Sequence, residues 1–394
     1  MSRPDLLARL AEAHSQRARD GLLRRLRTVE AVDGPRIVVA GKSLLNFATN
    51  DYLGLAQHPA LYEALTRAAE HWGVGATASH LLGGHRNEHA LLEKKLAAWT
   101  GREAALLFST GYMANLGAIG ALLRDDDLCV QDKLNHACLL DGARLAGAQI
   151  TRYAHGDVAA AERQLASRSE AAALLATDGV FSMDGDIAPL HELAALCKTQ
   201  HATFMVDDAH GLGVLANDGA GGLAEAGLTQ DDAPVLMATL GKALGVAGAF
   251  VAGSSALIDG LLQFARTHTY TTAMPPALAA AASVAVDLAR TESWRRDKLQ
   301  SLIALLRDGA LARGLSLLNS RTPIQPLLVG TSEDALRIAL QMENAGFYVP
   351  EIRPPTVPSG KARLRITLSA THEEADIERL LEALANVLPH GAAA

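Results

Sequence analysis

Two segments of the sequence carry residues that could do chemistry side by side. In TFMVDDAHG, an apolar run ends at Asp207 and His210 follows three residues later. Taken alone, Asp207 or Asp208 could equally cap the next turn. In TLGKALG, an apolar run ends at Thr239, and Lys242 follows among glycines. Burying an unpaired ammonium is costly, so a lysine in so apolar a segment indicates a function such as Schiff-base formation.

Together, the two segments predict a site for pyridoxal 5′-phosphate (PLP). The chemistry of PLP needs a lysine that forms an imine with the cofactor and an acidic group that keeps the pyridine nitrogen protonated. Lys242 and Asp207 fit these two roles. In a third segment, FSTGYMANLG, a strand is followed by a helix that opens near Gly111, and free N–H groups at a helix N-terminus suit a phosphate. A glycine at such a turn is weak evidence alone, but the order STG, VDDAHG, TLGK favours PLP.

The elements that must position these residues follow from the hydropathy pattern. Near-continuous apolar strands separated by helices predict a mainly parallel sheet that is covered on both faces. In such sheets ligands bind outside the carboxyl ends of the strands, where Asp207 and Thr239 fall. The seven predicted strands are 104–108, 128–130, 149–153, 173–176, 203–206, 235–239 and 249–252.

The two ends of the chain are expected to form separate units. An amphipathic helix is predicted over 5–27, and Arg24, at its end, could equally be a solvated side chain. After a long helix near 291–307, the pattern predicts a small α+β domain with strands 325–329 and 364–368 and helices 333–345 and 372–387. We therefore expect a helical arm over 1–45, a large domain over 46–288 and a small domain over 289–394, whose tail after Pro389 frays.

Composition excludes several classes of protein. The chain has 394 residues, which suffices for a large and a smaller domain. Its formal net charge of −7 and its 4% aromatic residues argue against a nucleic-acid binder. Three cysteines without metal-ligand spacing predict neither a disulfide framework nor a zinc site, and favour a reducing cytoplasm. No apolar stretch has the length of a membrane span or a signal peptide, so a soluble protein is expected.

At the level of whole motifs, the chain resembles the PLP-dependent enzymes of aminotransferase fold type I, and within them the α-oxoamine synthase family. The resemblance covers Arg24 to Leu388 and rests on the motifs LNFATNDYLGL, FSTGYMANLG, DGVFSMDGDIAPL, TLGKALG and YTTAMPP. It implies a seven-stranded PLP-binding domain, a small C-terminal domain and a homodimer with active sites at the subunit interface. It also implies an enzyme that condenses an amino acid with an acyl thioester and releases CO2.

The resemblance further implies roles for single residues. His136, in DKLNHACLLDG, would stack on the pyridine ring, although a helix cap or a surface position is the alternative. The implied catalytic residues are Lys242, His136, Asp207 and His210. The implied cofactor contacts are Gly111, Tyr112, His136, Ser182, Asp207, His210, Thr239, Lys242 and, from the other subunit, Thr271. The implied substrate contacts are Arg24, Asn50, His136, Arg353, Thr356 and Arg365, with no metal.

The segment EIRPPTVPSGKARLRITLSA indicates which substrates to expect. It most resembles the members that join L-alanine to a pimeloyl thioester, carried on CoA or on acyl carrier protein. Arg365 would hold the substrate carboxylate, although Arg363 and Arg365 could also be solvated residues of an alternating strand.

Two departures from the family pattern keep alternatives open. Asp178 stands where many members of this subgroup have Glu, as it does in enzymes that use glycine and acetyl-CoA. The stretch 75–85, GATASHLLGGH, replaces a GSGGSR pattern and has His80 in place of an arginine. A glycine acetyltransferase is therefore the alternative. A non-catalytic partner subunit is remote, because Lys242 is present.

Overall fold

A computed structural model describes residues 3–388 of the chain, so the predicted fraying after Pro389 lies outside the described residues. The N-terminal helix ends earlier than predicted, at Arg19, because Gly21 takes a left-handed φ of 65° that breaks the helix. Arg24 therefore lies in an irregular segment and not at a helix end, which corrects the prediction. The N-terminal elements are α1 (Leu6–Arg19), β1 (Val29–Asp33), β2 (Arg36–Val39) and β3 (Lys42–Asn46).

The central region alternates strands and helices as predicted. A single 3₁₀ turn over His80–Leu82 separates its first two helices. Its elements are α2 (Pro59–Trp72), α3 (Asn87–Trp99), β4 (Ala104–Phe108), α4 (Gly111–Leu122), β5 (Leu128–Asp132), α5 (Ala137–Ala146), β6 (Gln149–Tyr153), α6 (Val158–Ala166), β7 (Ala173–Asp178), α7 (Leu190–Thr199), β8 (Thr203–Asp207), α8 (Gly222–Glu225), β9 (Val235–Thr239), β10 (Ala249–Gly253), α9 (Ser255–Phe264), α10 (Arg266–Thr269) and α11 (Pro276–Thr291).

The central sheet has seven strands in the order β4-β10-β9-β8-β7-β5-β6. The strands β6, β5, β7, β8 and β9 run parallel, whereas β10 is antiparallel to both of its neighbours. The predicted fold, a mainly parallel seven-stranded sheet, is confirmed. Because β7 and β8 pair in register, Asp178 lies opposite Asp207 at the carboxyl end of the sheet.

Alternation along the buried strands divides their side chains between two apolar cores. On β8, Met205 packs with the residues of α4 and α5, whereas Phe204 and Val206 pack on the opposite face with α6 and α7. Side chains two residues apart share a face of a strand. Asp207 therefore lies on the same face as Met205, towards α4.

The C-terminal elements build a smaller α+β unit. They are α12 (Trp294–Ala312), β11 (Ile324–Gly330), α13 (Ser332–Asn344), β12 (Phe347–Tyr348), β13 (Glu351–Ile352), β14 (Ala362–Thr367) and α14 (Glu374–Val387). Strands β11, β14 and β13 form one antiparallel sheet, and β12 pairs with β3 as the fourth strand of the N-terminal sheet. The N-terminal strands are thus joined to the C-terminal unit through β12, while the domain boundaries at 45 and 288 stay a prediction. Among residues 3–388, no helix combines the length and the apolarity that crossing a membrane requires.

Candidate active site

A cavity of about 210 Å³ lies at the carboxyl ends of β7, β8 and β9, next to the first turns of α4 and α5. The last residues of the three strands, Asp178, Asp207 and Thr239, all line it. Every predicted cofactor residue except Thr271 belongs to its wall. The lining residues are Gly111, Tyr112, Asn115, His136, Cys138, Asp178, Val180, Ser182, Asp207, Ala209, His210, Met237, Thr239 and Lys242.

Lys242 is the first member of a hydrogen-bonded chain of side chains. Its Nζ lies 2.8 Å from Nε2 of His210, and Nδ1 of His210 lies 2.6 Å from the hydroxyl of Tyr52. The Tyr52 hydroxyl donates in turn to Oδ1 of Asn50 at 3.3 Å. Because the carbonyl oxygen of Asn50 can only accept, one consistent direction runs from the ammonium to His210, then to Tyr52 and Asn50. His210 is then neutral, with its hydrogen on Nδ1.

The electrostatics of these groups support that direction. Burial, together with the charge of Lys242, lowers the pKa of His210 well below its ordinary value. Burial also lowers the pKa of Lys242, although the carboxylates of Asp207 and Asp178 oppose this effect. Burial raises the pKa of Tyr52 to about 12, so its hydroxyl keeps its hydrogen. The hydrogen-bond direction therefore pairs a lysine ammonium with a neutral His210 and a neutral Tyr52.

Asp207 is held from two sides at the floor of the cavity. Its Oδ1 accepts a hydrogen bond from the backbone N–H of Ala209 at 3.0 Å, and its Oδ2 accepts one from Nδ2 of Asn115 at 2.7 Å. Burial and the charge of Asp207 raise the pKa of the neighbouring Asp178 well above its ordinary value. Two adjacent buried carboxyl groups favour a cationic group beside them, because a positive charge stabilises their ionised forms.

His136 caps a helix, which is the alternative given for it above, and it also lines the cavity; its stacking on a pyridine ring stays a prediction. It is solvent-exposed and caps α5, where its Nδ1 accepts from the backbone N–H of Cys138 at 3.3 Å. Its own backbone N–H donates to Oδ2 of Asp178 at 2.9 Å. His136 nevertheless lines the same cavity as Asp207, so this one residue both caps the helix and lines the cavity.

The N-terminus of α4 forms another part of the cavity wall. Thr110 caps this helix through its hydroxyl, which accepts from the backbone N–H of Met113 at 3.2 Å. The N–H groups of Gly111 and Tyr112 belong to the first turn and have no partner within the helix. Thr239 lies nearby and donates its hydroxyl to the carbonyl of Gly248 at 3.0 Å. This part of the cavity wall is suited to an anion.

Arg365 lies beside the cavity and is fixed by three acceptors. Its Nε donates to the carbonyl of Ser182 at 2.7 Å, and its two terminal nitrogens donate to Oγ1 of Thr367 at 3.0 Å and to Oδ1 of Asn50 at 3.2 Å. It is 6% exposed, so the alternative of a solvated guanidinium does not apply to it. Arg363 is also buried and forms an ion pair with Asp184.

The remaining predicted substrate residues lie in a second cavity, of about 440 Å³. Arg24, Arg353 and Thr356 line it together with Arg17 and Arg25. None of these five residues lines the Lys242 cavity. Arg353 donates to the carbonyl of Gly21 at 2.8 Å and so ties the second cavity to the N-terminal segment.

Thr271 and His80 lie outside both cavities and, unlike Asn50 and Arg365, have no hydrogen bond to the residues around the Lys242 cavity. Thr271 is half-buried in the segment before α11, and its hydroxyl lies 3.5 Å from the carbonyl of Thr272. His80, the departure from the family pattern, is buried and stacks on His268 with ring centroids 4.6 Å apart. His80 therefore belongs to a cluster with His85, His89 and His268 and does not line the Lys242 cavity.

Sequence reasoning missed Tyr52, Asn115 and Cys138, which all touch the predicted residues. A polar residue in the otherwise apolar helix α4, one turn after Gly111, was a signal for Asn115. Tyr52 lies within the motif LNFATNDYLGL but has no local feature that points to His210.

Comparisons with known proteins agree with the geometry. The family model "Aminotransferase class I and II" matches residues 42–384. An 8-amino-7-oxononanoate synthase of Pseudomonas putida F1 is 54% identical over 98% of this chain and 97% of its own, and one of Stenotrophomonas maltophilia is 54% identical over 98% and 95%.

Solved structures extend the likeness to three dimensions. A variant serine palmitoyltransferase of S. paucimobilis with bound PLP is 29% identical, covers 98% of both chains and has a TM-score of 0.92. An 8-amino-7-oxononanoate synthase of Francisella tularensis is 29% identical over 87% of this chain and 97% of its own, with a TM-score of 0.77. The chain therefore belongs to the aminotransferase class I and II family and, within it, to the 8-amino-7-oxononanoate synthases.

Proposed function

We propose that this chain condenses L-alanine with a pimeloyl thioester, releasing CO2 and the free thiol carrier and forming 8-amino-7-oxononanoate, an early product of biotin biosynthesis. The observation that carries the proposal is the position of Lys242, which lies 2.8 Å from His210 in a cavity that Asp207 also lines. The chain is 54% identical to an 8-amino-7-oxononanoate synthase. The activity is that of an acyltransferase.

The cofactor is PLP, and the residues present fit it. The floor of the cavity, where Asp207 and Asp178 lie side by side, suits the protonated pyridine nitrogen. The first turn of α4, with Gly111, suits the phosphate, and Lys242 suits the aldehyde carbon. When bound, PLP withdraws electrons from the α-carbon of the amino acid that it carries. His136 and Ser182 would contact the ring and its hydroxyl from the remaining walls.

Lys242 is the proposed acid and base of the reaction. Its Nζ would remove the α-proton of alanine and return a proton to the product. Burial lowers the pKa of this amine, which makes its neutral, proton-accepting form more accessible near neutral pH. Neutral His210 orients Nζ through its Nε2, and the hydroxyl of Tyr52 orients His210 through Nδ1.

The carboxylate of alanine is assigned to Arg365 and Asn50. Arg365 is held by Ser182, Thr367 and Asn50, so its guanidinium is fixed before substrate arrives. Preorganised donors lose little entropy when the substrate binds. This supports a precise orientation of the bond between the α-carbon and the carboxyl group that leaves as CO2.

The thioester is assigned to the arginine-lined cavity. Four arginines, Arg17, Arg24, Arg25 and Arg353, line it together with one glutamate, Glu351, which pairs with Arg353, on a chain whose formal net charge is −7. The pimeloyl carboxylate or the phosphates of the carrier need such cations. We assign the contacts to Arg24, Arg353 and Thr356, and leave CoA and acyl carrier protein as alternative carriers.

We further propose a homodimer in the cytoplasm. Large apolar side chains are strongly exposed near Thr271, with Phe264 69%, Tyr270 73% and Leu82 82% exposed. Such exposure favours coverage by a second subunit. A second subunit there would allow Thr271 to reach the phosphate of its partner's site. The three cysteines are free and buried, which agrees with a reducing compartment.

The proposal is tested by turnover with defined substrate pairs. The purified enzyme with PLP is given L-alanine or glycine, each with pimeloyl-CoA or acetyl-CoA, and free thiol and product mass are measured. The expected result is 8-amino-7-oxononanoate from L-alanine and pimeloyl-CoA. Turnover of glycine with acetyl-CoA alone would support the acetyltransferase alternative, and no turnover with any pair, CoA or carrier-bound, would support a non-catalytic subunit.

A further inference from the structure

Asn115 is a buried amide, and a contribution to stability does not explain why an amide stands at this position. It lies on α4 between the apolar residues Ala114 and Ala118 and is completely buried. Its Oδ1 has no hydrogen-bond partner among residues 3–388. A buried unpaired acceptor costs about 1 to 3 kcal/mol, and an apolar residue of the same shape would remove that cost. The amide at this position therefore has a purpose other than packing.

The donor side of the amide explains the choice of residue. Nδ2 of Asn115 donates to Oδ2 of Asp207 at 2.7 Å and to Sγ of Cys138 at 2.9 Å. Its two N–H groups serve one acceptor each. The reverse orientation would place the carbonyl oxygen against a carboxylate oxygen. The contacts thus fix the orientation of the amide.

The second contact leads on to His136. The backbone N–H of Cys138 donates to Nδ1 of His136, so this nitrogen carries no hydrogen. Sγ of Cys138 lies 2.7 Å from the same nitrogen, and the thiol must therefore be the donor in that contact. Sγ is then free to accept from Asn115. One amide is connected in this way to the carboxylate and to the imidazole that line the cavity.

We propose that Asn115 is a positioning residue that holds Asp207 towards the cofactor and, through the Cys138 thiol, holds the ring of His136 with its hydrogen on Nε2. This inference rests on the roles given to Asp207 and His136 in the proposed function. Without Asn115, the Asp207 carboxylate keeps only the N–H of Ala209 and can rotate away from the pyridine nitrogen. Asn115 acts through these two residues and not on substrate.

A double-mutant cycle on cofactor affinity tests the first contact. The dissociation constant of PLP is measured by absorbance titration of cofactor-depleted enzyme, without alanine or thioester. A hydrogen bond to a charged group is worth about 1.5 to 3 kcal/mol, so Asn115→Leu is expected to raise the constant about ten- to a hundredfold. In an Asp207→Ala background, the same change is expected to raise it less than about threefold. Equal factors in both backgrounds, or no effect in the wild type, would overturn the proposal.

Controls separate positioning from general loss of structure. Gln131→Met replaces another buried amide, which contacts Leu139 and Cys129 but not Asp207, and is expected to leave the PLP constant within about threefold. Should Asn115→Leu fail to fold, Asn115→Ser serves in the same cycle with the same expected direction. An effect of Gln131→Met as large as that of the Asn115 variant would contradict a specific role.

The second contact is tested by a conservative replacement. Cys138→Ala removes the donor to His136 and is expected to raise the PLP constant about two- to tenfold, because a neutral hydrogen bond is worth about 0.5 to 1.5 kcal/mol. Cys138→Ser keeps a donor and is expected to restore affinity, whereas equal losses in both variants would contradict this part. Because substrates are absent, a failed cycle with normal turnover refutes only Asn115, and a successful cycle without turnover refutes only the proposed reaction.

Discussion

His155 links two parts of the chain that surround the Lys242 cavity, and its replacement should change stability in a pH-dependent way. Its Nδ1 lies 3.1 Å from Oδ1 of Asp132 at the end of β5, and its Nε2 lies 2.8 Å from Oδ2 of Asp186. Asp186 follows the loop that carries Ser182 into the cavity. A protonated His155 thus ties this loop to the sheet.

The sign of the pH dependence follows from the pKa of His155. Burial opposes its charge, but the hydrogen bonds and charges of Asp132 and Asp186 outweigh burial and raise the pKa to about 10. A raised pKa in the folded state contributes stability that is complete below the unfolded value of about 6.5. That contribution is lost as the pH rises through about 10.

The magnitude is set by the exposure of the pair. Breaking a fully buried ion pair costs about 3 to 5 kcal/mol, whereas exposed pairs are worth at most about 1 kcal/mol. Asp132 is 1% exposed and His155 31% exposed, so His155→Gln is expected to lower the free energy of unfolding by about 2 kcal/mol at pH 6. Denaturant unfolding from pH 6 to pH 10, on wild type and variant, measures the difference.

The expected result is a gap between wild type and His155→Gln that narrows as the pH rises from about 6.5 to about 10. His14→Gln, an exposed residue of α1, serves as the matched control and should show no gap at any pH. A gap that stays constant over this range would refute a charged His155 clamp. A gap that widens would mean that the sign of the linkage is wrong.

Three further predictions concern the site itself. Asp207→Asn should still bind PLP but lose most of its condensation activity, because an amide does not hold the pyridinium proton; full activity would refute that role. Arg24→Ala should raise the Michaelis constant for the thioester about ten- to a hundredfold and leave that for L-alanine unchanged, since a charge-assisted contact is worth about 1.5 to 3 kcal/mol. An effect of Arg25→Ala in its place would contradict the assignment. Tyr52→Phe should lower kcat about tenfold, because His210 loses the group that orients it. An unchanged kcat would show that the Tyr52 contact does not contribute to catalysis.

Much of the sheet and its carboxyl-end residues could be predicted because the signals are local. Apolar runs that stop at Asp207 and Thr239 place these residues at one edge of a parallel sheet. The end of α1 was predicted wrongly, because the arginine-rich helical pattern continues past Gly21 and only the backbone conformation there shows the break. The strand β1 was not predicted, since all its residues are exposed and show no apolar alternation.

The contacts that orient the site could not be predicted in the same way. Asn115 and Asp207 are 92 residues apart, and Tyr52 and His210 are 158 residues apart. Their pairing depends on how α4 and the N-terminal segment pack on the sheet, which no local pattern encodes. The two aspartates that contact His155 could not be predicted either, because no sequence pattern distinguishes them from ordinary turn residues. Roles that depend on a second subunit, such as that of Thr271, stay predictions.

The central claim, that Lys242 drives the condensation of alanine with a pimeloyl thioester in this cavity, is tested most directly by a matched measurement of CO2 and thiol release. Wild-type enzyme and Lys242→Ala, both supplied with PLP, are given carboxyl-labelled L-alanine and pimeloyl-CoA. We expect wild type to release labelled CO2 and free CoA in equal amounts. We expect Lys242→Ala, folded as judged by circular dichroism, to lose more than about a hundredfold in rate, or about 3 kcal/mol in barrier. A Lys242→Ala rate above that limit, or thiol release without labelled CO2 in the wild type, would contradict the claim.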